Sequence, residues 1–351
     1  MLSTSSLADD LRSKITSGAL HSESLLGTEI GLTKTTGLSR SSVRLAISTL
    51  INEGLVERRP GKGVFVKSSS TSSVIELVLP ALQNIWIDIA EGVQTVGRNT
   101  GSKIQIFNAR SDVKSDMNML RSLPSLKVDG AIIGSLHQKE LTQEIVHLHL
   151  SGLPIVLLDQ NLSDINVPSV TFDNYQAGYL AGSELLKANH RNLGFVGYSS
   201  LSARINGLRD AVNDAGIAFD RKNIVDTPVS WIPEGEQKRS LKEALTSLMD
   251  QPNPPTGLVF HNTGMALQGV RRLQSLGLRI PKDISVVSIG NEPEWIWADT
   301  ELSAVQLPAL EMGRIAAEML LERIQNSQVP VRHVVLPVSW KPGHTILKLR
   351  S

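Results

Sequence analysis

The sequence predicts an α/β protein in which an N-terminal winged helix-turn-helix precedes a two-lobed body of doubly wound parallel sheets. Three observations predict this fold. Residues 1–67 combine helical periodicity with a hairpin pattern, residues 68–73 are six consecutive hydroxyl side chains, and residues 74–351 alternate short apolar runs with helical patterns. Such alternation is typical of βαβ units, and a hydroxyl run is typical of a linker. We therefore expect three parts with these boundaries.

Three helices are expected in residues 1–67. The first is predicted by Leu7, Leu11 and Ile15, which repeat every four residues. A short second helix is expected at about 29–36. A third begins after Ser39, whose hydroxyl can cap it.

The apolar stripe of the third helix is expected to bury one face and leave the arginines of this helix outside. The members of the stripe follow helical spacing: Val43, Ala46, Ile47, Leu50 and Ile51. After Gly54, residues 55–58 and 64–66 flank Pro60-Gly61-Lys62-Gly63, which is the pattern of a β-hairpin. A hairpin after three such helices predicts the wing of a winged helix-turn-helix.

The third part, residues 74–351, contains alternating strand and helix patterns. Strands are predicted at 75–79, 104–107, 131–133, 155–158, 193–196, 258–260 and 286–289. Helices are predicted at about 85–99, 114–123, 138–150, 174–188, 202–215, 235–249, 264–276 and 308–325. This part is longer than one typical sheet domain, so we expect two lobes. We expect the chain to cross between them in the segment 159–168, which is rich in Asn, Asp, Ser and Pro.

Composition excludes several classes of protein. The formal net charge is +1, and residues 1–67 carry nine Lys and Arg against six Asp and Glu, so only this first part is basic. The absence of cysteine excludes a disulfide framework, a thiol nucleophile and a cysteine-ligated metal. We find no leader pattern, and no apolar run reaches the roughly 18–20 residues of a membrane span. We therefore expect a cytoplasmic protein with no membrane partner.

Catalytic signatures are scarce. The sequence lacks the glycine-rich nucleotide-binding motifs, the Gly-x-Ser-x-Gly motif and the His-Glu-x-x-His motif. His147 and His149 lie two apart on a predicted helix and face different directions, so they do not form a shared metal site. We therefore expect no catalytic residue, no metal and no cofactor.

The exposed face of the third helix is a candidate DNA-reading surface. Arg40 and Arg44 lie one turn apart, with Ser41 beside them, and an arginine fork can pair with guanine in the major groove. The glycines around Lys62 would let the hairpin tip approach a duplex, with Arg58 behind it. Periodicity alone equally allows ordinary solvated helix charges.

Two segments, 38–50 and 53–66, closely resemble the winged-helix head of the gluconate-repressor (GntR) family, and the match covers residues 7–67. The resemblance implies DNA contacts from the recognition helix and the wing, by Arg40, Ser41, Ser42, Arg44, Gly61 and Lys62. To this predicted DNA interface we add Thr28 and Arg58. The family usually has an arginine where this chain has Ile30, which suggests a divergent operator.

Several side chains of the body favour ligand binding. Trp86, Trp295 and Trp297 lie near strand-to-helix turns, where a doubly wound fold opens its crevice. For each Trp taken alone, packing in the core or at its rim is the more common role. Arg204 begins a helix, where a cation is unfavourable, and this suggests an anion or hydroxyl partner. Asp173 is either a helix cap or a ligand contact.

Segments from about 74 to 345 resemble the effector-binding body of the lac-repressor (LacI) family, which is related to type I periplasmic sugar-binding proteins. The segments are 128–133, 152–159, 170–174, 204–207 and 280–287. The resemblance implies a cleft between two lobes that is lined by Trp86, Asp159, Asp173, Arg204, Asn262 and Gln306. The family's usual Asp is missing from the turn at 288–292, and we expect Asn291, Glu292 or Trp295 to replace it.

The combination is similar to the architecture of arabinose-type repressors. It implies a homodimeric DNA-binding transcriptional regulator, most simply a repressor, that binds double-stranded operator DNA. A sugar-like effector between the lobes would control its operator affinity. Two alternatives remain: a cytosolic small-molecule-binding protein whose head docks a protein, and an enzyme on the same fold.

Overall fold

A computed structural model describes most of the chain. The described residues are 4–16, 20, 24–66, 73–83, 85–110, 112–135, 138–160, 162, 165–197, 202–226, 234–291 and 301–350. The chain divides into two compact units, residues 1–72 and residues 73–351. The predicted linker, 68–73, lies outside the described residues except for Ser73.

The described residues of the first unit form three helices and a small antiparallel sheet. Its elements are α1 (Thr4–Thr16), β1 (Leu25–Gly27), α2 (Glu29–Thr36), α3 (Arg40–Asn52), β2 (Val56–Arg59) and β3 (Gly63–Val66). The strand order is β1-β3-β2. Leu7 and Leu11 of α1 pack with Val43, Ile47 and Leu50 of α3 in one buried cluster. The predicted helices and wing are therefore present, and β1 is an additional strand.

The first lobe of the second unit is a six-stranded parallel sheet in the order β14-β8-β7-β6-β4-β5. Its strands are β4 (Val74–Leu79), β5 (Lys103–Asn108), β6 (Gly130–Gly134), β7 (Ile155–Leu158), β8 (Ser169–Phe172) and β14 (His333–Leu336). Its helices are α4 (Ile85–Thr100), α5 (Val113–Ser122), α6 (Gln138–Leu150) and α11 (Ala309–Gln325). Two buried clusters cover the two faces of the sheet, one with α4 and α11 and one with α5 and α6.

The second lobe has a sheet in the order β10-β9-β11-β12-β13-β15, in which only the pairing of β13 with β15 is antiparallel among the described strands. Its strands are β9 (Leu193–Gly197), β10 (Ile224–Asp226), β11 (Gly257–Phe260), β12 (Ser285–Ile289), β13 (Ser303–Gln306) and β15 (Ser339–Lys341). Its helices are α7 (Asn174–Lys187), α8 (Ser202–Asp214), α9 (Glu234–Met249) and α10 (Thr263–Ser275).

Among the described elements, the chain passes between the lobes at Asp173, at 307–308 and at 337–338. The backbone N–H of Asp173 donates to the carbonyl of Leu336 at 3.0 Å, so two of these crossings touch. The expectation that the segment 159–168 crosses between the lobes was wrong. The strands on either side of it, β7 and β8, are neighbours in one sheet. Turn-forming composition identifies a loop, but it does not determine which sheet the next strand joins.

The helices of the body begin and end within about two residues of the predicted positions. The strands that the patterns missed are short: β8, β10, β13, β14 and β15. In the part of the chain that the structure describes, no helix is both long enough and apolar enough to cross a bilayer.

Candidate functional site

The N-terminus of α3 carries a cluster of serine hydroxyls. Ser39 caps the helix, because its Oγ accepts from the backbone N–H of Ser42 at 3.2 Å. The same Oγ lies 2.8 Å from the hydroxyl of Ser41 and 2.9 Å from that of Ser42. Arg40, Ser41 and Arg44 lie outside the buried apolar stripe of α3 and are exposed. A helix N-terminus with hydroxyl groups and arginines is suited to an anionic partner.

Glu29 connects α3, the predicted recognition helix, to the hairpin strand β2. Its Oε2 lies 3.4 Å from Nε of Arg44, and its Oε1 lies 2.7 Å from Nη2 of Arg58. Arg44 and Arg58 are nevertheless 69% and 44% exposed, whereas Glu29 is only 26% exposed. Thr28, the preceding residue, caps α2 by accepting from the N–H of Gly31 at 3.0 Å. Its hydroxyl therefore has a structural role, although its side chain is exposed.

The tip of the wing is a tight turn. Gly61 has a φ of 70°, and the N–H of Lys62 donates to the carbonyl of Arg59 at 3.0 Å, which leaves Lys62 exposed at the tip. Arg59 itself lies over the ring of Phe65, with 4.7 Å from its Cζ to the ring centroid. The wing therefore presents Lys62 and Arg58, whereas Arg59 packs on the hairpin.

In the body, a chain of polar side chains connects the two lobes at the carboxyl ends of their strands. Arg204 Nε donates to Asn174 Oδ1 at 2.7 Å, and Asn174 Nδ2 donates to Asp159 Oδ1 at 3.0 Å. Asp159 follows β7 of the first lobe, whereas Arg204 lies in α8 of the second lobe and is only 3% exposed. Asn174, which sequence reasoning did not single out, joins the two predicted ligand residues.

Arg204 also contacts His261. Its Nη1 donates to the backbone carbonyl of His261 at 2.6 Å and lies 3.2 Å from Nδ1 of the imidazole. Burial and the neighbouring guanidinium hold the pKa of His261 well below its usual value, so the ring is neutral. A cation can only donate, so Nδ1 is the accepting nitrogen and the ring proton is on Nε2. Sequence reasoning missed His261, although its position directly after β11 could have identified it.

Asp159 has an unusual backbone and an unusual carboxyl group. Its φ is 49°, in the left-handed region that Asp tolerates better than most residues. Burial raises the pKa of Asp159, while the charge of Arg204 and the hydrogen bond from Asn174 act in the opposite direction. Burial likewise lowers the pKa of Arg204, and Asp159 counteracts that shift. Each group thus favours the charged form of the other.

Two further predicted ligand residues act as helix caps. Asp173 Oδ1 accepts from the N–H of Gln176 at 2.8 Å, and Asn262 Oδ1 accepts from the N–H of Met265 at 2.7 Å. Both side chains are half-buried. Of the two roles expected for Asp173, helix cap or ligand contact, the structure shows the helix cap.

The other predicted ligand residues differ in position. Trp86 is 8% exposed and covers Gly134, whose Cβ, if present, would lie 2.6 Å from the indole ring. Its role in the structure is therefore packing in the core of the first lobe, against β6. Gln306 is exposed at the end of β13. Glu292 and Trp295 lie outside the described residues.

Asn291 lies between the lobes and is hydrogen-bonded to the chain crossing at 307–308. Its Oδ1 accepts from the N–H of Leu307 at 3.0 Å, and its Nδ2 donates to the carbonyl of Leu307 at 2.9 Å. The same Nδ2 lies 3.2 Å from Asp88 Oδ2 of α4. This amide is therefore engaged by protein groups. Among the residues that the structure describes, no cluster of His, Asp or Glu could hold a metal ion.

Two family models match separate parts of the chain. Residues 3–66 match the bacterial regulatory proteins of the gntR family, and residues 183–346 match a periplasmic binding protein-like domain. Among curated proteins, the chain is 24% identical over 334 residues to an arabinose metabolism transcriptional repressor of Halalkalibacterium halodurans, covering 91% of this chain and 88% of that protein. It is 26% identical over 289 residues to a ribose operon repressor of Haemophilus influenzae, covering 81% and 84% respectively.

Solved structures show the same fold for the body. A LacI family transcriptional regulator from Enterococcus faecium with bound ribose superposes with a TM-score of 0.68 at 24% identity, over 79% of this chain and all of that one. A complex of the transcriptional regulator CelR with cellobiose gives 0.69 at 21% identity, over 88% and 91%. The fold class predicted from the sequence is confirmed.

Proposed function

Because this chain joins a winged-helix domain of the gntR family to a periplasmic-binding-protein-like domain, we propose that it is a DNA-binding transcriptional repressor controlled by a small-molecule effector. Its curated relatives are transcriptional repressors, which supports a regulator over an enzyme. Such a protein acts on chromosomal DNA in the cytoplasm. The observation that carries the proposal is that exposed arginines on α3 and an exposed lysine on the wing accompany a second unit whose two lobes are joined by a chain of polar side chains.

The head is suited to reading a duplex. The recognition helix would enter the major groove, where Arg44 and Arg40 can pair with guanine and the serine hydroxyls can reach phosphates. Lys62 at the wing tip would contact phosphate as a point charge. As a homodimer, the protein would read two half-sites about 34 Å apart.

The body is suited to binding a polyhydroxylated molecule. Arg204, Asn174 and Asp159 supply donors and acceptors in fixed positions at the carboxyl ends of strands, which is where doubly wound folds bind ligands. The relatives with bound ribose and cellobiose support a sugar as the effector class. The effector would change operator affinity only through different affinities for the lobe arrangements that favour and disfavour DNA binding.

The test is DNA binding by fluorescence anisotropy, with the full chain and the DNA upstream of its own gene. Arg44→Ala should weaken binding by about 1–3 kcal/mol and relax the preference for one base pair. Lys62→Ala should weaken binding to all sequences alike and make it less dependent on salt. If neither variant changes binding, the proposed reading surface is wrong. If binding is insensitive to salt and directed to a protein, the protein-docking alternative is favoured.

The effector class needs its own test. A ligand at 100 times its dissociation constant adds about 2.7 kcal/mol to the free energy of unfolding, so thermal unfolding can be used to screen sugars and sugar phosphates. Arg204→Ala, if it folds, should abolish the shift produced by any sugar that stabilises the wild type. An unchanged shift would place the effector elsewhere.

A further inference from the structure

An acidic side chain lies within the basic surface that we assign to DNA. Glu29 is the first residue of α2, and its two carboxylate oxygens contact two different elements: Arg44 of the recognition helix and Arg58 of the wing strand β2. Both arginines belong to the proposed DNA interface. The ion pair between Glu57 and Arg59, at 2.7 Å, differs because it joins two residues of one strand.

Electrostatics alone makes an acid unfavourable at this position. DNA attracts proteins through its phosphates, largely independently of sequence, and a carboxylate close to the duplex weakens that attraction. Any benefit that Glu29 brings to DNA recognition must therefore come from the geometry it imposes on its neighbours. A guanidinium that is already oriented also loses less conformational freedom when it binds a base.

We propose that Glu29 is a positioning residue for base recognition, which rests on the function proposed above. The carboxylate engages Arg44 through Nε, which leaves the terminal Nη pair of Arg44 to form two hydrogen bonds with O6 and N7 of a guanine. Its other oxygen holds Arg58 and so fixes the wing strand beside the recognition helix. Glu29 thus raises the preference for operator over other DNA while it lowers the affinity for DNA in general.

This role predicts changes of opposite sign. Glu29→Gln removes the charge and weakens the hold on both arginines, so affinity for operator should fall while affinity for scrambled DNA rises. The ratio of the two affinities should drop by about tenfold, the scale of one bidentate base contact. A variant that merely loses structure would bind both duplexes more weakly.

The experiment measures anisotropy of the full chain on two duplexes, the DNA upstream of its own gene and a scrambled sequence of the same composition, at several salt concentrations. Glu57→Gln is the matched control, because it removes the same charge from an Arg–Glu pair of the wing. It should raise both affinities by the same factor and leave their ratio unchanged. Glu29→Asp keeps the charge but is too short to reach both arginines, so it should lower the ratio without strengthening the binding of scrambled DNA.

Arg44 provides a second check. In an Arg44→Ala background, Glu29→Gln should cause little further loss of discrimination, because the two residues act as one unit. The inference is overturned if Glu29→Gln keeps the wild-type ratio or behaves as Glu57→Gln does. A wild-type protein that does not prefer the upstream duplex would refute the proposed function itself, so the two failures are distinguishable.

Discussion

The side-chain amide of Asn291 lies 3.2 Å from the carboxylate of Asp88, and this hydrogen bond joins the two lobes of the body. Asn291 follows β12 in the second lobe, and Asp88 belongs to α4 in the first. Because the same amide also holds both backbone groups of Leu307, the contact between the lobes is coupled to one of the chain crossings. The position of one side chain is therefore sensitive to the angle between the lobes.

Asp88→Ala should remove the hydrogen bond between Asn291 and Asp88 and so weaken this contact between the lobes. The loss of one such hydrogen bond lowers the free energy of unfolding by about 1 kcal/mol. Hydrogen exchange of the Leu307 amide should become faster, because its acceptor on Asn291 is less restrained. Asp88→Asn retains an accepting oxygen and should behave almost as the wild type does in both urea unfolding and exchange. Equal effects of the two substitutions would show that Asp88 does not stabilise the contact by accepting a hydrogen bond from Asn291.

Asn174→Ala should disconnect Arg204 from Asp159. The substitution leaves a buried guanidinium Nε without its 2.7 Å partner, which lowers the free energy of unfolding by about 1–3 kcal/mol. It should also weaken effector binding, because Arg204 is no longer held in place. Gln176→Ala, in the same turn of α7 with an exposed side chain, is the control and should change neither urea unfolding nor ligand-induced thermal shifts. If the two variants behave alike, the polar chain has no structural role.

Gly178→Ala should force α7 and α8 apart. An added Cβ would lie far inside contact distance of the carbonyl group of Arg204, and backbone has little freedom to move away. Overpacking of this kind lowers the free energy of unfolding by about 1–3 kcal/mol. Gly182→Ala should be milder, because its nearest contact, 2.8 Å away, is the end of the Leu208 side chain, which can shift more easily than backbone. Urea unfolding of both variants tests this order.

His190 should make the protein less stable in acid. The buried ring is 2.9 Å from Thr256 Oγ1 through Nδ1 and 3.1 Å from the carbonyl of Leu347 through Nε2, and burial lowers its pKa below 6.5. Since the unfolded chain takes up the proton first, the contribution of His190 is complete above pH 6.5 and is lost as the pH falls below that value. His261, whose pKa is also depressed, acts in the same direction.

The measurement is the free energy of unfolding in urea at pH 7.5, 6.5 and 5.5. His190→Gln should be less stable than the wild type at pH 7.5 and should lose less stability on acidification. Parallel pH profiles for the two proteins would show that His190 does not titrate as its surroundings imply.

The elements with strong local signals were predictable from the sequence. The predicted cap of α3, Ser39, is confirmed, because its hydroxyl bonds the first turn, and Gly54 follows the helix with a φ of 75°. In contrast, β13 and β14 were missed although they are as long as β7 and β11, which were predicted. Each includes an exposed polar residue, Gln306 in β13 and His333 in β14, so neither is the fully buried apolar run that β7 and β11 form. The misplaced crossing at 159–168 has a different cause, because sheet membership depends on contacts that are distant in sequence.

The polar chain between the lobes was only partly predictable. Arg204 was identified because a cation at a helix start requires a partner, but that partner could not be named from the sequence. Asn174 and His261 join Arg204 from positions 30 and 57 residues away along the chain. Their roles follow from the packing of α7, α8 and β11, which the sequence pattern does not encode locally.

The crossings between the lobes have a mechanical consequence. The backbones of Asp173 and Leu336 are hydrogen-bonded to each other, and the side chain of Asn291 is hydrogen-bonded to Leu307. Separate segments of the chain therefore run side by side where the lobes meet. We expect these adjacent crossings to act as a hinge, about which the two lobes can open and close but cannot easily slide past each other. We therefore expect a molecule bound between the lobes to change mainly the angle between them.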